Sequence, residues 1–407
     1  MKALVLCGGI PQKALIEKLK KRGIYTVLAD MNPNVVARPY ADAFFPVSVL
    51  DVDAVKKLAM SEKVDMILTA CADQVLLVQA QVSKDLGLPC YIDYQTAQDV
   101  SNKELMKSVF IKNGIPTSKF TILSKFEEDK IRNLNYPLIV KPVDSYSSRG
   151  VRKVCNIDEL KNAFENAYEI SRTKSVIIEE YVEGEELTVD VYVEEGIAHT
   201  LCVSNIDKIR GNDRFVICRT RYPAQLTSKV KKKVEEVANL IAKAFHLVNS
   251  PMLIQMITNG DDISVVEFCA RTGGGDKYRL IERVTGFDVI EALIGLTLGD
   301  KPHYNAHAYA EYLINEFIYV KPGVFDHLEG FEKAKNEGLI EEYFQLKSKG
   351  TICKEIQSSA DRVAYYTIKG TNHEEVHDKI HKINTMIRAV DAVGSDILRH
   401  DIIESFA

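Results

Sequence analysis

Residues 179–191 read EEYVEGEELTVDV. Two acids, Tyr181 and Val182 come first, then Gly184 among further acids, then an alternation of Leu187, Val189 and Val191 with Thr188 and Asp190. A period of two is the pattern of a β-strand. The apolar SVII at 175–178 precedes it. The stretch 175–204 therefore reads as a strand, a short connection and a hairpin turning at Glu194-Glu195-Gly196. A solvated hairpin edge would explain the acids. It would not explain the order of acids, Tyr181, Val182 and glycine.

Working outward, PLIVKP (137–142) is a strand ending in Lys141, followed by the polar loop VDSYSSRGVRKV. Upstream, NKELMKSVFIKNGIPTS (102–118) is an amphipathic helix with Lys103 near its start, stopped by Gly114 and Pro116. Downstream, a long helix (227–246) leads into PMLIQMITNGDDISVVEFCAR, a hairpin turning at Asn259-Gly260-Asp261. Gln255 and Glu267 lie twelve residues apart across it. Lysines act as point charges for phosphate, and loop N–H groups can cradle it. Magnesium takes one or two carboxylates together with substrate phosphates. Each piece alone is bland, but their order points to an ATP–magnesium site assembled from separated segments.

The remaining chain frames this middle third. Residues 1–100 alternate strand and helix: KALVLC, YTVLAD, DMILTA and CYID as four strands, with helices between them. That predicts an open, mostly parallel sheet. Gly8-Gly9 and Asp30 are a weak dinucleotide signal, because such a sheet needs a tight turn there in any case. Residues 303–407 are mixed, with strands near Tyr312–Val320 and at 362–370. HEEVH (373–377) matches the H-E-x-x-H zinc pattern. The apolar stripe Val376, Ile380, Ile383 and Ile387 already gives that helix a packing role.

The 407 residues suffice for two or three domains, and a net charge of −5 argues against a nucleic-acid footprint. Eight scattered cysteines without C-x-x-C suit free thiols in a reducing compartment. The N-terminal apolar run is too short for a signal peptide and no segment is long enough to span a membrane, so the expected location is cytoplasmic.

On these motifs the region of about 102–300 resembles the ATP-grasp superfamily, which includes biotin carboxylase, the carbamoyl-phosphate synthase large chain, D-alanine–D-alanine ligase and the L-amino-acid ligases. The resemblance extends back through the N-terminal domain and more loosely into the tail. It implies a mixed α/β and α+β chain. An open parallel α/β domain (1–101) precedes an ATP-grasp fold of two α+β subdomains clasping ATP (102–302), with a mobile lid at about 117–185. A C-terminal α+β region (303–407) follows. The resemblance places Lys103 and Lys141 on the ATP phosphates, and Ser147, Ser148 and Gly150 in the phosphate-covering loop. Glu179 would accept from the adenine amino group. Glu180, Tyr181 and Val182 would line the base, with main-chain contacts at the last two, and Glu186 would bind ribose. Gln255 and Glu267 would hold Mg2+ (or Mn2+). Cys269 stands where that family carries Asn, leaving the metal site one side-chain oxygen short. Arg271 would face the γ-phosphate and the acyl phosphate, and the Gly273–Gly275 turn would seat a substrate carboxylate.

The reaction implied is activation of a carboxylate as an acyl phosphate and its capture by an amine, with release of ADP and phosphate. Lys141, Glu267 and Arg271 would carry the chemistry. Arg219 and Arg221 either contact substrate or alternate on an exposed strand face. Two other readings stand beside this one: bicarbonate activation of the biotin-carboxylase or carbamoyl-phosphate-synthase type, and a degenerate member that binds nucleotide without turnover. The expected partners are small-molecule carboxylates and amines, with no nucleic acid and no membrane. A homodimer is common among relatives in that family.

Overall fold

The computed structural model describes residues 1–145, 148–209, 215–305 and 311–405. Ser147, Arg210 and Arg214 lie outside the described residues. The chain forms two compact units, each assembled from three separate stretches.

The first unit comprises Met1–Thr117, Thr188–Val203 and Leu226–Tyr309. Its amino-terminal part is a four-stranded parallel sheet in the order Ala43–Phe45, Tyr25–Ala29, Lys2–Leu6, Met66–Leu68. Leu4, Leu6, Val27 and Ile67 pack against Val55, Val78 and Val82 of the helices Val52–Glu62 and Asp73–Leu86. The parallel sheet follows from the strand–helix alternation. CYID, however, is not a strand. After Pro89 the chain does not return to the sheet, and the Asp93 carboxylate accepts from the Thr96 N–H at 2.9 Å to cap a helix, Tyr94–Ser101. The fourth strand is instead the short edge Ala43–Phe45. The Gly8–Gly9 turn is closed on itself: Asp30 accepts from the Gly8 N–H at 2.9 Å, and a Cβ on Gly8 would lie 2.2 Å from Val35. That turn shapes the sheet, and only glycine fits at position 8.

In the same unit the hairpin Ser250–Asn259 and Asp262–Cys269 forms as read, with Gly260 at φ +57° in the turn. The portions of Glu185–Glu194 and Ile197–Lys208 belonging to this unit continue that sheet beyond Ser250–Asn259. Helices Lys277–Thr285 and Val289–Leu298 follow the hairpin.

The second unit comprises Ser118–Leu187, Ser204–Gln225 and Ala310–Ala407. One antiparallel sheet runs Phe120–Leu123, Val176–Glu180, Leu138–Pro142, Arg152–Val154. The helix Ile157–Ile170 covers it with Leu160, Phe164 and Ala167. A second antiparallel array orders Ile217–Tyr222, Tyr312–Ile318, Ala364–Gly370 and Glu342–Gln345. The helix His373–Met386 packs on this region through Val376, Ile380 and Ile383, with Ile387 just beyond it, all in one apolar cluster. Its Glu375 is held by Lys379 at 2.7 Å and by the Thr371 N–H at 2.8 Å. The HEEVH segment is thus the capped start of a packing helix. Among the described residues no cluster of three or more His, Cys, Asp or Glu side chains could hold a metal. No helix among them is long and apolar enough to cross a membrane.

Candidate functional site

In the second unit, Lys141 and Glu179 lie on neighbouring antiparallel strands, Ile139 pairing with Glu179 and Lys141 with Ile177. This diagonal lets the two side chains meet in an ion pair, each about 6% exposed. The second Glu179 oxygen accepts from Ser118 Oγ at 3.1 Å. Both oxygens expected to face adenine are therefore engaged within the unit. The Glu180 side chain accepts from the Asn135 N–H at 3.0 Å and Nδ2 at 2.9 Å. The Tyr181 N–H donates to the Pro137 carbonyl at 2.9 Å. The Tyr181 ring is covered by Lys153, whose Nζ lies 3.7 Å from its centroid. Val182 follows directly, half-buried.

Glu186 pairs with Lys208, which also lies 4.6 Å from the Phe215 ring centroid. In the loop after Lys141, Ser148 (φ +60°) and Gly150 (φ +77°) take left-handed backbone conformations. A Cβ on Gly150 would lie 2.8 Å from Ile170, so both the space and the backbone require glycine.

Arg219 and Arg221 are not the exposed face of a strand. Arg219 pairs with Glu316, its partner in register, at 2.6 Å, with side chains 3% and 0% exposed. Its guanidinium also donates to the Ile403 carbonyl at 3.5 Å. Burial pushes the Glu316 carboxyl up to about 7 against the pull of Arg219. Arg221 donates twice to Asp207, at 2.9 and 3.0 Å.

In the first unit, Asn102 caps the helix Lys103–Lys112 by accepting from the N–H groups of Glu104 and Leu105 at 2.8 and 3.3 Å. That fixes the helix start from which Lys103 reaches Glu267, at 3.3 Å. Burial opposes the Lys103 charge, but Glu267 and Asp73 outweigh it and hold its pKa above the ordinary lysine value. Gln255 is the register partner of Glu267, and the ladder slips immediately after Gln255. A bulge at this point re-aims side chains at a strand end.

Arg271 donates to Asp73 through Nε at 2.6 Å and again through a terminal nitrogen, while its other terminal nitrogen donates to the Thr272 carbonyl at 2.6 Å. Burial works against both charges of this pair. Arg271 nevertheless lowers the Asp73 pKa, and Asp73 raises that of Arg271. The Cys269 thiol also donates to Asp73, and burial holds it protonated, with its pKa well above the ordinary thiol value. The cysteine in the Asn position is thus a neutral hydrogen-bond donor to the acid that orients Arg271.

Gly273 packs where a Cβ would lie 2.8 Å from the Lys277 stem and 2.9 Å from Asp190 Oδ1, whereas nothing lies within 4 Å of a Cβ on Gly274. Asp73, Asp190 and Lys277 escaped the sequence reading. Asp73 looks like any acid in a first helical turn. Asp190 carried a usable signal, a carboxylate among valines in a strand that the structure buries on both faces.

Residues 134–278 match the ATP-grasp domain family and residues 316–391 match L-amino acid ligase C-terminal domain 2. The chain is 24% identical over 367 residues to the carbamoyl phosphate synthase large chain of Agathobacter rectalis, covering 87% of this chain and 33% of that protein. It is 28% identical over 252 residues to the formate-dependent phosphoribosylglycinamide formyltransferase of Sulfurisphaera tokodaii, covering 59% and 62%. The chain thus spans less than two thirds of the length of these curated relatives. The fold is similar to that of the L-amino acid ligase from Bacillus licheniformis, with a TM-score of 0.80, 18% identity, and 96% and 98% of the two chains covered. It is also similar to phosphoribosylglycinamide synthetase from Anaerococcus prevotii, with a TM-score of 0.75, 19% identity, and 96% and 99% covered.

Proposed function

We propose that this chain, which carries an ATP-grasp domain at residues 134–278, is an ATP-dependent, ADP-forming carboxylate–amine ligase whose acyl donor is an amino acid or a related small metabolite. The supporting observation is the pairing of three cations from three separate segments. Lys141 rests on Glu179, Lys103 on Glu267 and Arg271 on Asp73. A buried cation without a partner is costly, and each of the three has an acid beside it. Polyphosphate can then take over these cations without any new charge having to form. The match of residues 316–391 to L-amino acid ligase C-terminal domain 2 supports the amino-acid reading of the donor.

Lys103, Lys141, Ser147, Ser148 and Gly150 are assigned to the phosphates, and Glu179–Val182 and Glu186 to the nucleoside. The donor set of Glu267 and Gln255, one carboxylate and one carboxamide on paired strands, fits a Mg2+ ion whose remaining ligands are phosphate oxygens and water. Bound there, magnesium would neutralise phosphate charge and leave Lys103 free to move from Glu267 to a phosphate oxygen. The substrate carboxylate attacks the γ-phosphorus as the bond from that phosphorus to the β,γ-bridging oxygen breaks and ADP departs with its electron pair, while Lys103, Lys141 and Arg271 offset the developing charge. The amine then attacks the acyl carbon, and phosphate departs with the electrons of the broken C–O bond. Gly273 and Gly274, with Arg271 and Arg221, are assigned to the substrate. Arg219 is built into the core beside Glu316 and receives no such role.

Calorimetric titration of the full chain with ATP in the presence of magnesium tests the nucleotide assignment. Lys141→Ala should weaken binding by about tenfold or more, and Lys141→Arg, which keeps a charge against Glu179, should bind more tightly than the alanine variant. Unchanged affinity in a folded Lys141→Ala protein overturns the assignment.

A further inference from the structure

We propose that Asp190 is the acceptor for the protonated amino group of an amino-acid substrate, with Gly273 as the residue that covers it. This rests on the ligase reading above and assigns the group that would make the site prefer amino acids to plain carboxylates.

Asp190 lies within the strand Glu185–Glu194 and is 1% exposed. Its Oδ2 accepts from Cys202 Sγ at 3.4 Å and faces Lys277 Nζ at 3.4 Å. Its Oδ1 is buried with no hydrogen-bond partner. A carboxyl oxygen left unbonded in the interior is costly, and a fold that retains one keeps an acceptor in reserve. Two residues along, and so on the same face of the strand, Thr188 Oγ1 is also buried without a partner. An ammonium group carries three donors and suits such a pair of acceptors.

The unmet Oδ1 points at Gly273, where a Cβ would lie only 2.9 Å away. Gly273 does not take a left-handed φ, so the constraint on this residue is space and not backbone conformation. The smallest residue stands over the unmet oxygen, next to a Gly274 whose surroundings are open.

The charges agree. Arg271 with Asp73 and Lys277 with Asp190 form two neutral pairs in one unit. A zwitterion matches them: its carboxylate turns to a cation, its ammonium to Asp190, and no net charge is added. A carboxylate without an amino group would bring an extra negative charge and leave Oδ1 unmet. Sites built to bind a polar group reject analogues that lack it far more strongly than apolar pockets reject a missing methylene.

The test uses the full chain with ATP and magnesium. Phosphate release is screened with each L-amino acid in the presence of a panel of amines that includes the other L-amino acids. In the presence of ADP and magnesium, the melting shift caused by L-alanine, L-leucine and L-phenylalanine is compared with that of propionate, 4-methylpentanoate and 3-phenylpropionate. The parent should respond to amino acids at concentrations about tenfold or more below those needed for the deamino analogues. Asp190→Asn should raise the KM for the amino acid by about 10- to 100-fold with the KM for ATP unchanged, and Asp190→Glu should recover part of that loss. A purely structural role would lower the melting temperature and disturb both KM values together. Should Asp190→Asn not fold, the comparison of analogues on the parent decides. No phosphate release with any L-amino acid would remove the ligase reading and this inference with it. Release with amino acids, combined with equal response to the deamino analogues or an unchanged amino-acid KM in folded Asp190→Asn, would overturn this inference alone.

Discussion

Glu267 pairs with Lys103 and stands opposite Gln255, so replacing it by glutamine removes the only carboxylate in the proposed metal set while keeping the shape of the strand end. Glu267→Gln should lower turnover by about 100-fold or more and weaken ATP binding by about tenfold or less, measured as phosphate release beside calorimetric affinity. Turnover within a factor of about two of the parent would overturn the metal assignment. Lys103, Lys141 and Glu267 could be named from sequence because each sits at the start or end of an element, whereas Glu179 and Arg271 are assigned only through the resemblance to the ATP-grasp superfamily. Asp73 could not. It binds Arg271 from 198 residues away, and its place in a first helical turn looks ordinary. Cys269 could be noticed as a departure, but its hydrogen bond to Asp73 depends on a contact that no local pattern encodes. Arg219 and Arg221 were legible as a period-two pair. The sequence does not show that Arg219 meets Glu316, on a strand nearly a hundred residues later.

The helix Lys103–Lys112 starts where Asn102 caps it, and the cap sets where Lys103 begins its reach toward Glu267. Asn102→Ala should cost about 1 kcal/mol of stability by chemical denaturation. It should also weaken ATP binding, because the first turn loses its fixed position. A normal denaturation midpoint with normal ATP affinity would show that the cap does not position the lysine. Long periodic elements were readable: the helix at 227–246, the strand–helix alternation of residues 1–100, and both hairpins with their glycine turns. Short apolar pieces were not. CYID resembles a strand in composition, yet it follows Pro89 and leads into a helix capped by Asp93. Ala43–Phe45 is a real edge strand of three residues, too short to show a period.

Each compact unit draws on three stretches of chain, a feature hidden from linear reading because strands that return to a unit look like any other strands. The buried Arg219–Glu316 pair lies wholly within the second unit and makes that unit's stability depend on pH. Burial raises the folded Glu316 carboxyl to about 7, above the value of about 4.3 for an unfolded glutamate. The folded form therefore holds the proton more tightly, and stability should fall as pH rises from about 4.5 to 7. Glu316→Gln should flatten that part of the profile relative to the parent in denaturation at several pH values. An identical slope in both proteins would mean that Glu316 titrates normally.

The central claim is tested most directly by phosphate release from ATP in the presence of magnesium, measured over pairs of carboxylates and amines. The expected result is release of ADP and phosphate that requires both an amino acid and an amine, with equal amounts of a new amide formed. Release stimulated by bicarbonate and biotin alone, or nucleotide binding with no turnover for any pair, would contradict it.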